Sequence, residues 1–135
     1  MTDLSADIPR FITTPPQQFC QPNGKKSTVA QFCLGDDFVG FRGHFPTNPV
    51  VPGIVQIMLA QYTAACGEPS TLTDVIQCKF TSQIKPNDRI DVRVDQVAAD
   101  RAHRYTSTIL ANGIRSATLL FELQLCYLNC NTDNG

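Results

Sequence analysis

The stretch that constrains the fold most is an almost uncharged run over residues 50–65, which follows a loop rich in proline and glycine. Pro52 and Gly53 open this run, and proline is favourable near a first helical position because its missing N–H would have no partner there. Other side chains of the run recur at helical spacing, at Ile54, Ile57, Met58 and Gln61. The pattern predicts one helix from Pro52 and Gly53 to about Cys66. A helix with so few charges is expected to be buried.

Short runs of β-compatible residues lie on both sides of the predicted helix. Residues 89–97 alternate apolar and polar, as a strand with one buried face does. Asn112 and Gly113 form the dipeptide that most strongly favours a two-residue hairpin. The predicted strands cover residues 11–20, 27–34, 72–83, 89–97, 104–111 and 114–127. This order predicts an α+β fold in which an antiparallel sheet wraps around one long central helix.

The length of the chain, 135 residues, allows one domain with a single core. We expect this domain to span residues 1–135, with a loose arm at residues 1–10 and a frayed tail at residues 129–135. With 11 basic and 12 acidic residues the formal net charge is −1, which argues against nucleic-acid binding and against a polybasic membrane anchor. No apolar run approaches the roughly 18 residues of a membrane span. The first ten residues lack a signal-peptide pattern, so we expect a cytoplasmic protein.

Six cysteines are spread along the chain without a C-x-x-C pair. In a protein expected to be cytoplasmic, they are predicted to be reduced structural thiols. Cys33 and Cys78 lie within apolar strand-like runs, where a free cysteine behaves as a small hydrophobic residue. His44 and His103 have no close companions of the kind that bind metals, so the sequence predicts no metal site.

The loop over residues 43–53, with the sequence GHFPTNPVVPG, carries the clearest chemical signal. Its prolines and glycines fix the backbone path and bring one histidine, His44, near the start of the predicted helix. Amide N–H groups at the start of a helix, beginning here with Gly53, stabilise negative charge. A base next to such a site, beside an apolar helix, suits chemistry on a carbonyl compound with an apolar tail.

This loop resembles the G-H-F-P-x-x-P-x-x-P-G signature of the 3-hydroxyacyl-acyl-carrier-protein dehydratases, which have the hotdog fold. The resemblance continues into the helix and resumes over residues 74–95. There Phe80 and the later run IKPND are similar to the strand-turn-strand of the family, and the Asn112-Gly113 dipeptide is similar to a family hairpin. The resemblance covers about residues 27–127, and the loop motif is its most specific part.

The resemblance implies a carbon–oxygen lyase of fatty-acid or polyketide and polyene metabolism, which dehydrates 3-hydroxyacyl thioesters carried by acyl carrier protein or coenzyme A. His44 matches the histidine that removes the α-proton, and Gly53 matches the glycine whose backbone N–H polarises the thioester carbonyl. The family forms homodimers with the site at the interface, needs no cofactor, and takes the acyl chain into a tunnel beside the helix. The residues then expected to contact substrate are Phe45, Pro52, Gln56, Met58, Gln61 and Tyr62.

One helix position departs from the family pattern. The family has Glu or Asp five residues after the glycine, where it acts on the leaving hydroxyl, and the corresponding residue here is Met58. No Asp or Glu lies between Asp37 and Glu68, so a shift of the alignment does not restore the acid. Thr47 also stands where the family usually has glycine. The chain is therefore identified as a divergent member that lacks the helix carboxylate.

Three functions remain open on this interpretation. The first is dehydration, with His44 acting as base and then as acid. The second is a hotdog acyl thioesterase, although the predicted helix lacks the carboxylate that such enzymes usually use. The third is a non-catalytic acyl-binding or partner subunit that keeps the fold and the tunnel. Structural roles also stay open for four helix residues, as hydrogen-bonded amides for Gln56 and Gln61 and as core or tunnel lining for Met58 and Tyr62.

Overall fold

The computed structural model describes residues 4–41, 49–100 and 103–125. The chain begins with a short helix α1 (Leu4–Asp7) and a 3₁₀ turn (Ile8–Phe11). Strands β1 (Ile12–Cys20) and β2 (Lys26–Phe32) follow, and then a second 3₁₀ turn (Val39–Phe41). After the helix α2 (Gly53–Ala64) come strands β3 (Ser70–Phe80), β4 (Ile90–Gln96), β5 (Arg104–Ala111) and β6 (Ile114–Leu125). The predicted helix and the six predicted strands are confirmed, with their ends shifted by a few residues.

All six strands form one antiparallel sheet in the order β1-β2-β4-β5-β6-β3. Helix α2 packs against the inner face of this sheet, so that the core lies between the two layers. Val55 and Leu59 of α2 belong to the same core cluster as Phe32, Val92 and Phe121 of the sheet, and each of these side chains is at most 1% exposed. The predicted α+β architecture, a sheet against one central helix, is therefore confirmed.

Strand β4 shows the alternation that the sequence predicts. Its inner side chains are buried in the core, and its outer ones are partly or fully exposed. On the outer side, burial alone would raise the pKa of Asp95, but hydrogen bonds from Arg93 and Ser27 outweigh it. The pKa of Asp95 is therefore lowered, and the outer face of the sheet carries paired charges there.

Asn112 and Gly113 join β5 to β6 in a two-residue hairpin. Both residues have positive φ, 51° and 85°, as the type I′ turn requires. The Asn112 side chain also holds the adjacent turn before β4. Its oxygen accepts a hydrogen bond from the Arg89 N–H (2.9 Å), and its NH₂ donates to Asp88 (3.0 Å). The predicted hairpin is confirmed.

Residues 4–11 form helical turns where the sequence predicts part of a loose arm. Ile8 is 1% exposed and belongs to the core. One carboxylate oxygen of Asp7 accepts a hydrogen bond from the Val39 N–H (2.9 Å), and the other pairs with Arg10. The difference arises because the contact between Asp7 and Val39 joins segments distant in sequence, which no local pattern reveals. The tail expected at residues 129–135 lies outside the described residues.

Strand β1 forms one edge of the sheet, and prolines interrupt its ladder. Its register with β2 shifts between Thr14 and Gln17, and Pro15 and Pro16 lie within that shift. Proline has no N–H to donate to a neighbouring strand, which is why it is confined to sheet edges and bulges. The two prolines therefore account for the irregular pairing at this end of β1.

Strand β3 forms the other edge and pairs with β6 on one side. Ile76 and Phe80 on this strand are 42% and 43% exposed, which is high for large apolar side chains. Cys78 is also exposed, in contrast to the apolar surroundings that its sequence context predicts, because the edge position leaves it uncovered. The cysteines of the described ranges, Cys20, Cys33, Cys66 and Cys78, are free thiols.

Candidate functional site

The predicted base His44 and its neighbour Phe45 lie outside the described residues, within residues 42–48. The chain on both sides of this segment is held in place. Phe41, which precedes it, is buried in the core. Val51, which follows it, donates its N–H to the main-chain carbonyl of Ile84, with 2.7 Å between nitrogen and oxygen. The loop that contains the histidine therefore starts in the core and ends on the turn that precedes β4.

Helix α2 begins without a capping side chain. Pro52 is its N-cap residue in an extended conformation, and its carbonyl accepts hydrogen bonds from the N–H groups of Val55 (3.0 Å) and Gln56 (3.3 Å). Gly53 is the first helical residue, and helix geometry gives its N–H no acceptor inside the helix. No acidic side chain in the first turn offsets the positive end of the helix dipole. This helix start is thus suited to a polarised or negatively charged oxygen.

The aromatic ring of Phe80 lies directly over Gly53. A methyl group on Gly53 would lie 3.0 Å from Cζ and 3.1 Å from Cε2 of that ring. Such distances are shorter than normal carbon–carbon contacts, so any side chain at Gly53 would require the ring or the helix to move. Phe80 ends strand β3, where it pairs with Ala117 of β6, and nearly half of its surface stays open. Phe80 is therefore an apolar wall beside the Gly53 amide.

Gln56 faces the sheet and not the open side of α2. It is 3% exposed, and its oxygen Oε1 lies 3.3 Å from the hydroxyl oxygen of Ser116, which is itself fully buried. The same hydroxyl lies 3.3 Å from the carbonyl oxygen of Ile109. This contact joins α2 to β5 and β6 through polar groups inside the core. The position of Gln56 favours its structural alternative, a hydrogen-bonded amide, over substrate contact.

A series of incompletely buried residues runs along the other side of α2, starting next to Gly53. We call it the open stripe, and it consists of Ile54, Ile57, Met58, Gln61 and Tyr62. Ile54 at its beginning is 55% exposed, whereas the remaining members are half-buried. The expectation that α2 is buried on most sides holds for the sheet side and not for this stripe. Met58, at the position of the missing acid, is in its middle.

A cavity of about 300 Å³ lies at the end of the open stripe remote from Gly53. We call it the far-end cavity, and its lining includes Ile8, Pro9, Met58, Gln61, Tyr62 and Ser70. Residues 67–69, which connect α2 to β3, complete the wall. The structure thus brings three predicted substrate-contacting residues to one cavity, whereas Pro52 and Gly53 lie at the opposite end of the helix.

Polar groups line the far-end cavity beyond Met58. The Gln61 side chain donates from Nε2 to the carbonyl oxygen of Ser70 (3.3 Å) and to its hydroxyl oxygen (3.1 Å). The ring of Tyr62 packs edge-on against Phe32, with 6.0 Å between the ring centroids. A methyl group on Gly67 would lie 3.2 Å from the Tyr62 hydroxyl oxygen, so the glycine leaves room for that hydroxyl.

The sequence interpretation did not include Phe80, Ile8 or Ser70 among the site residues. Phe80 was noted as part of the family resemblance, but nothing local indicated that it would lie over Gly53. Ile8 reaches the cavity because residues 4–11 fold back onto the core. Within the described ranges, no three His, Cys, Asp or Glu side chains are grouped so that they could hold a metal ion. No described helix has the length and apolar character to cross a bilayer.

Comparison with known sequences assigns most of the chain to one family. Residues 20–116 match the family model ApeI-like, described as ApeI dehydratase. The 3-hydroxyacyl-[acyl-carrier-protein] dehydratase FabZ of Alkaliphilus metalliredigens is 32% identical over 108 residues, which cover 69% of this chain and 69% of that protein. FabZ of Halalkalibacterium halodurans is 28% identical over 85 residues, 56% of this chain. Here the match spans 59% of the relative's length.

Solved structures share the fold. A chain of the dehydratase heterocomplex ApeI:P from Xenorhabdus doucetiae superimposes with a TM-score of 0.62 at 20% identity, covering 80% of this chain and 96% of that chain. The putative thioesterase yhdA from Lactococcus lactis gives a TM-score of 0.61 at 15% identity. The superposition covers 91% of this chain and 98% of that chain. At such identities the likeness shows the fold alone, which is the hotdog fold that the resemblance implied. The family-model match over residues 20–116 and the relative at 32% identity show that the chain is a divergent member of the 3-hydroxyacyl-acyl-carrier-protein dehydratase family, with an ApeI-like sequence.

Proposed function

We propose that this chain dehydrates 3-hydroxyacyl thioesters, as a carbon–oxygen lyase. The observation that carries the proposal is the family match across residues 20–116, which includes both the histidine loop and an α2 start whose Gly53 amide has no capping side chain. The relatives' name gives acyl carrier protein as the thioester carrier, and coenzyme A is the alternative. The reaction as proposed needs neither a metal ion nor a cofactor.

In the proposed mechanism, His44 removes a proton from the carbon next to the thioester carbonyl. The electron pair left on that carbon forms the new carbon–carbon double bond as the carbon–oxygen bond to the 3-hydroxyl breaks. The leaving oxygen takes the proton back from the His44 imidazolium and departs as water. While negative charge develops on the thioester oxygen, the Gly53 N–H stabilises it by a hydrogen bond. His44 therefore serves as both base and acid, because Met58 has no proton to donate.

The open stripe of α2 is the proposed path of the acyl chain. Ile54, Ile57 and Met58 offer the chain an apolar surface, and their partial exposure means that they are still able to bury a ligand. Phe80 covers the same end of the helix as Gly53 and would border the thioester. Pro52 and Phe45 are proposed to flank the thioester end of the acyl path. Gln61 and Tyr62 are proposed to flank its opposite end.

We also propose that two copies of the chain pair through strand β3. The strand has an open edge and the exposed apolar side chains Ile76 and Phe80, which are expected to be covered in an assembly. A second copy would add a wall opposite the open stripe and close the acyl path. The Xenorhabdus neighbour is a heterocomplex, so a related chain is the alternative to a second copy.

An acyl thioesterase is the second candidate function, favoured by the fold it shares with the putative thioesterase yhdA. Hydrolysis needs a group that activates water, and α2 contains no carboxylate to do so. The third candidate is a non-catalytic acyl-binding or partner subunit. It would keep the open stripe and the far-end cavity without turnover.

One assay separates these functions. The purified protein is incubated with 3-hydroxyacyl and with saturated acyl thioesters of acyl carrier protein, and the acyl groups are followed by mass spectrometry. Dehydration predicts the loss of one water from the 3-hydroxyacyl group and no change in the saturated one. Release of free acid from both would favour a thioesterase. No change in either, with acyl-carrier binding retained, would favour the subunit without turnover.

A further inference from the structure

We propose that Gln56 and Ser116 are positioning residues, which hold the start of α2 so that the Gly53 N–H meets the thioester oxygen. The inference rests on the proposed function, because it takes the Gly53 amide as the group that stabilises this oxygen. It goes further by assigning a role in the reaction to two buried side chains, neither of which touches the substrate.

Ser116 lies in a β-bulge of strand β6. Where β5 pairs with β6, Ile109 is opposite Ala117. The next pair is Leu110 with Arg115, so Ser116 is the extra residue between the two pairs. Ser116 and Ala117 are consecutive, yet both are completely buried, whereas a regular strand turns one of two consecutive side chains outward. The bulge therefore turns the Ser116 hydroxyl into the core, and bulges next to active sites often redirect a side chain in this way.

Inside the core, the Ser116 hydroxyl meets the first turn of α2. Its oxygen lies 3.3 Å from Oε1 of Gln56 and 3.3 Å from the carbonyl oxygen of Ile109. Gln56 follows Gly53 by three residues, and its own N–H bonds to the Pro52 carbonyl (3.3 Å). Gln56 thus belongs to the turn that presents the Gly53 amide. Because hydrogen bonds fix both a distance and a direction, this contact sets the position of the turn on the sheet.

The backbone of Ser116 leads to the aromatic wall of the site. Its carbonyl oxygen accepts a hydrogen bond from the Thr81 N–H, with 2.8 Å between oxygen and nitrogen. Thr81 directly follows Phe80, whose ring lies over Gly53. Ser116 is therefore joined to the helix turn by its side chain and to the end of β3 by its backbone. A shift of Ser116 would move both neighbours of the Gly53 amide.

The burial of this polar contact is better explained by position than by stability. Gln56 is 3% exposed and Ser116 is fully buried. Taking their polar groups out of water costs free energy, which the hydrogen bonds offset without a large surplus. Two apolar side chains of the same shape would therefore hold α2 on the sheet about equally strongly. They would lack the fixed direction and distance that a precisely placed amide needs.

The test separates position from stability with a double variant. Ser116→Ala alone leaves the buried Gln56 amide without this partner and should lower the melting temperature by about 5 °C or more. Adding Gln56→Met makes the contact apolar, so the melting temperature should return close to the wild-type value. With the 3-hydroxyhexanoyl thioester of acyl carrier protein, kcat of the double variant should still be about tenfold lower at unchanged KM, because the Gly53 amide acts on charge in the transition state.

Ser107→Ala is the matched control, because Ser107 is also a buried serine of the sheet and its hydroxyl donates to the Arg93 carbonyl (2.9 Å). Its kcat should equal that of the wild type. The Gly53 amide proton is also followed by NMR during titration with the saturated hexanoyl thioester, which has no hydroxyl to lose. Its signal should move downfield in the wild-type protein and in Ser107→Ala, and clearly less in the double variant.

The two measurements distinguish failure of the inference from failure of the proposed function. Absence of dehydration by a wild-type protein that shows the Gly53 shift would contradict the proposed function, and the shift in the double variant would then decide on the inference. A double variant with wild-type kcat, or with a Gly53 shift as large as that of the wild type, would overturn the inference.

Discussion

At the scale of single residues, Gly53 and Phe80 act as a pair, because the ring occupies the space that a side chain would need. Gly53→Ala is expected to displace the helix start or the ring and to lower kcat/KM by about 100-fold, since small misplacements of a catalytic group have large effects. The double variant Gly53→Ala with Phe80→Leu should recover part of the loss. The measurement is kcat/KM of the single and the double variant by steady-state kinetics. If the double variant is no more active than Gly53→Ala, the contact with Phe80 does not cause the loss of activity.

His44 is the residue on which the proposed chemistry depends most. His44→Ala is expected to lower turnover by about 100-fold or more, because no other group in the motif titrates near neutral pH. Folding should be retained, as judged by circular dichroism and thermal unfolding. His103→Ala is the matched control, because His103 is exposed and lies outside the histidine loop in sequence, so its loss should not affect turnover. More than about a tenth of wild-type activity in His44→Ala would exclude this histidine as the base.

Met58 marks the position where the resemblance calls for a carboxylic acid. Met58→Glu is expected to raise dehydratase turnover by about tenfold or more, because it restores a proton donor of similar length. The carboxyl group would be partly buried, so its pKa should rise and the fold should lose about 2 kcal/mol of stability. Met58→Gln provides the same shape without the acid and should not gain activity. A folded Met58→Glu protein with unchanged turnover would show that this position is not the vacant acid site.

At the scale of elements, α2 ends in a conformation that suits glycine better than the residue present. Cys66 has a φ of 53°, its N–H bonds to the Thr63 carbonyl, and the next N–H bonds back to Tyr62. This is the Schellman arrangement, in which glycine usually takes the left-handed position. Cys66→Gly is therefore expected to raise the free energy of unfolding by about 1 kcal/mol. Cys66→Ala keeps the Cβ atom and should change the free energy of unfolding by less than about 0.5 kcal/mol. An equal gain in both variants would show that the left-handed backbone conformation of Cys66 is not the reason for the gain.

The elements that could be predicted are those whose stability is visible in local sequence. The alternation of β4, the Asn112-Gly113 hairpin and the uncharged run of α2 each reflect a periodicity or a turn preference. The helical turns at residues 4–11 could not be predicted, because Asp7 is held by the backbone of Val39, far away in sequence. The candidate site is predictable only in part as well. Met58 and Tyr62 are expected from the family resemblance, which concerns sequence alone, whereas the ring of Phe80 reaches Gly53 only through the pairing of β3 with β6.

At the scale of the whole molecule, we expect a homodimer formed through β3. Static light scattering should give twice the chain mass of 14.9 kDa in dilute solution. Ile76→Lys adds a charge to the open edge and should shift the equilibrium towards monomer. Gln18→Lys adds the same charge to the exposed part of β1 and should leave the dimer intact. A folded wild-type monomer, or equal weakening by both substitutions, would argue against pairing through β3.

The two edges of the sheet also determine where such pairing stops. In polymer chemistry, a unit with two reactive ends grows into a chain without limit, whereas a unit with one reactive end stops after a single coupling. The prolines at positions 15 and 16 leave β1 unable to offer a continuous row of N–H donors, so they act as an end-cap on that side. With the proposed pairing through β3, the molecule would be monofunctional, because its one open edge would be used when it meets its own copy. Two prolines in a surface strand would thereby prevent a chain that pairs through its other sheet edge from growing into fibres.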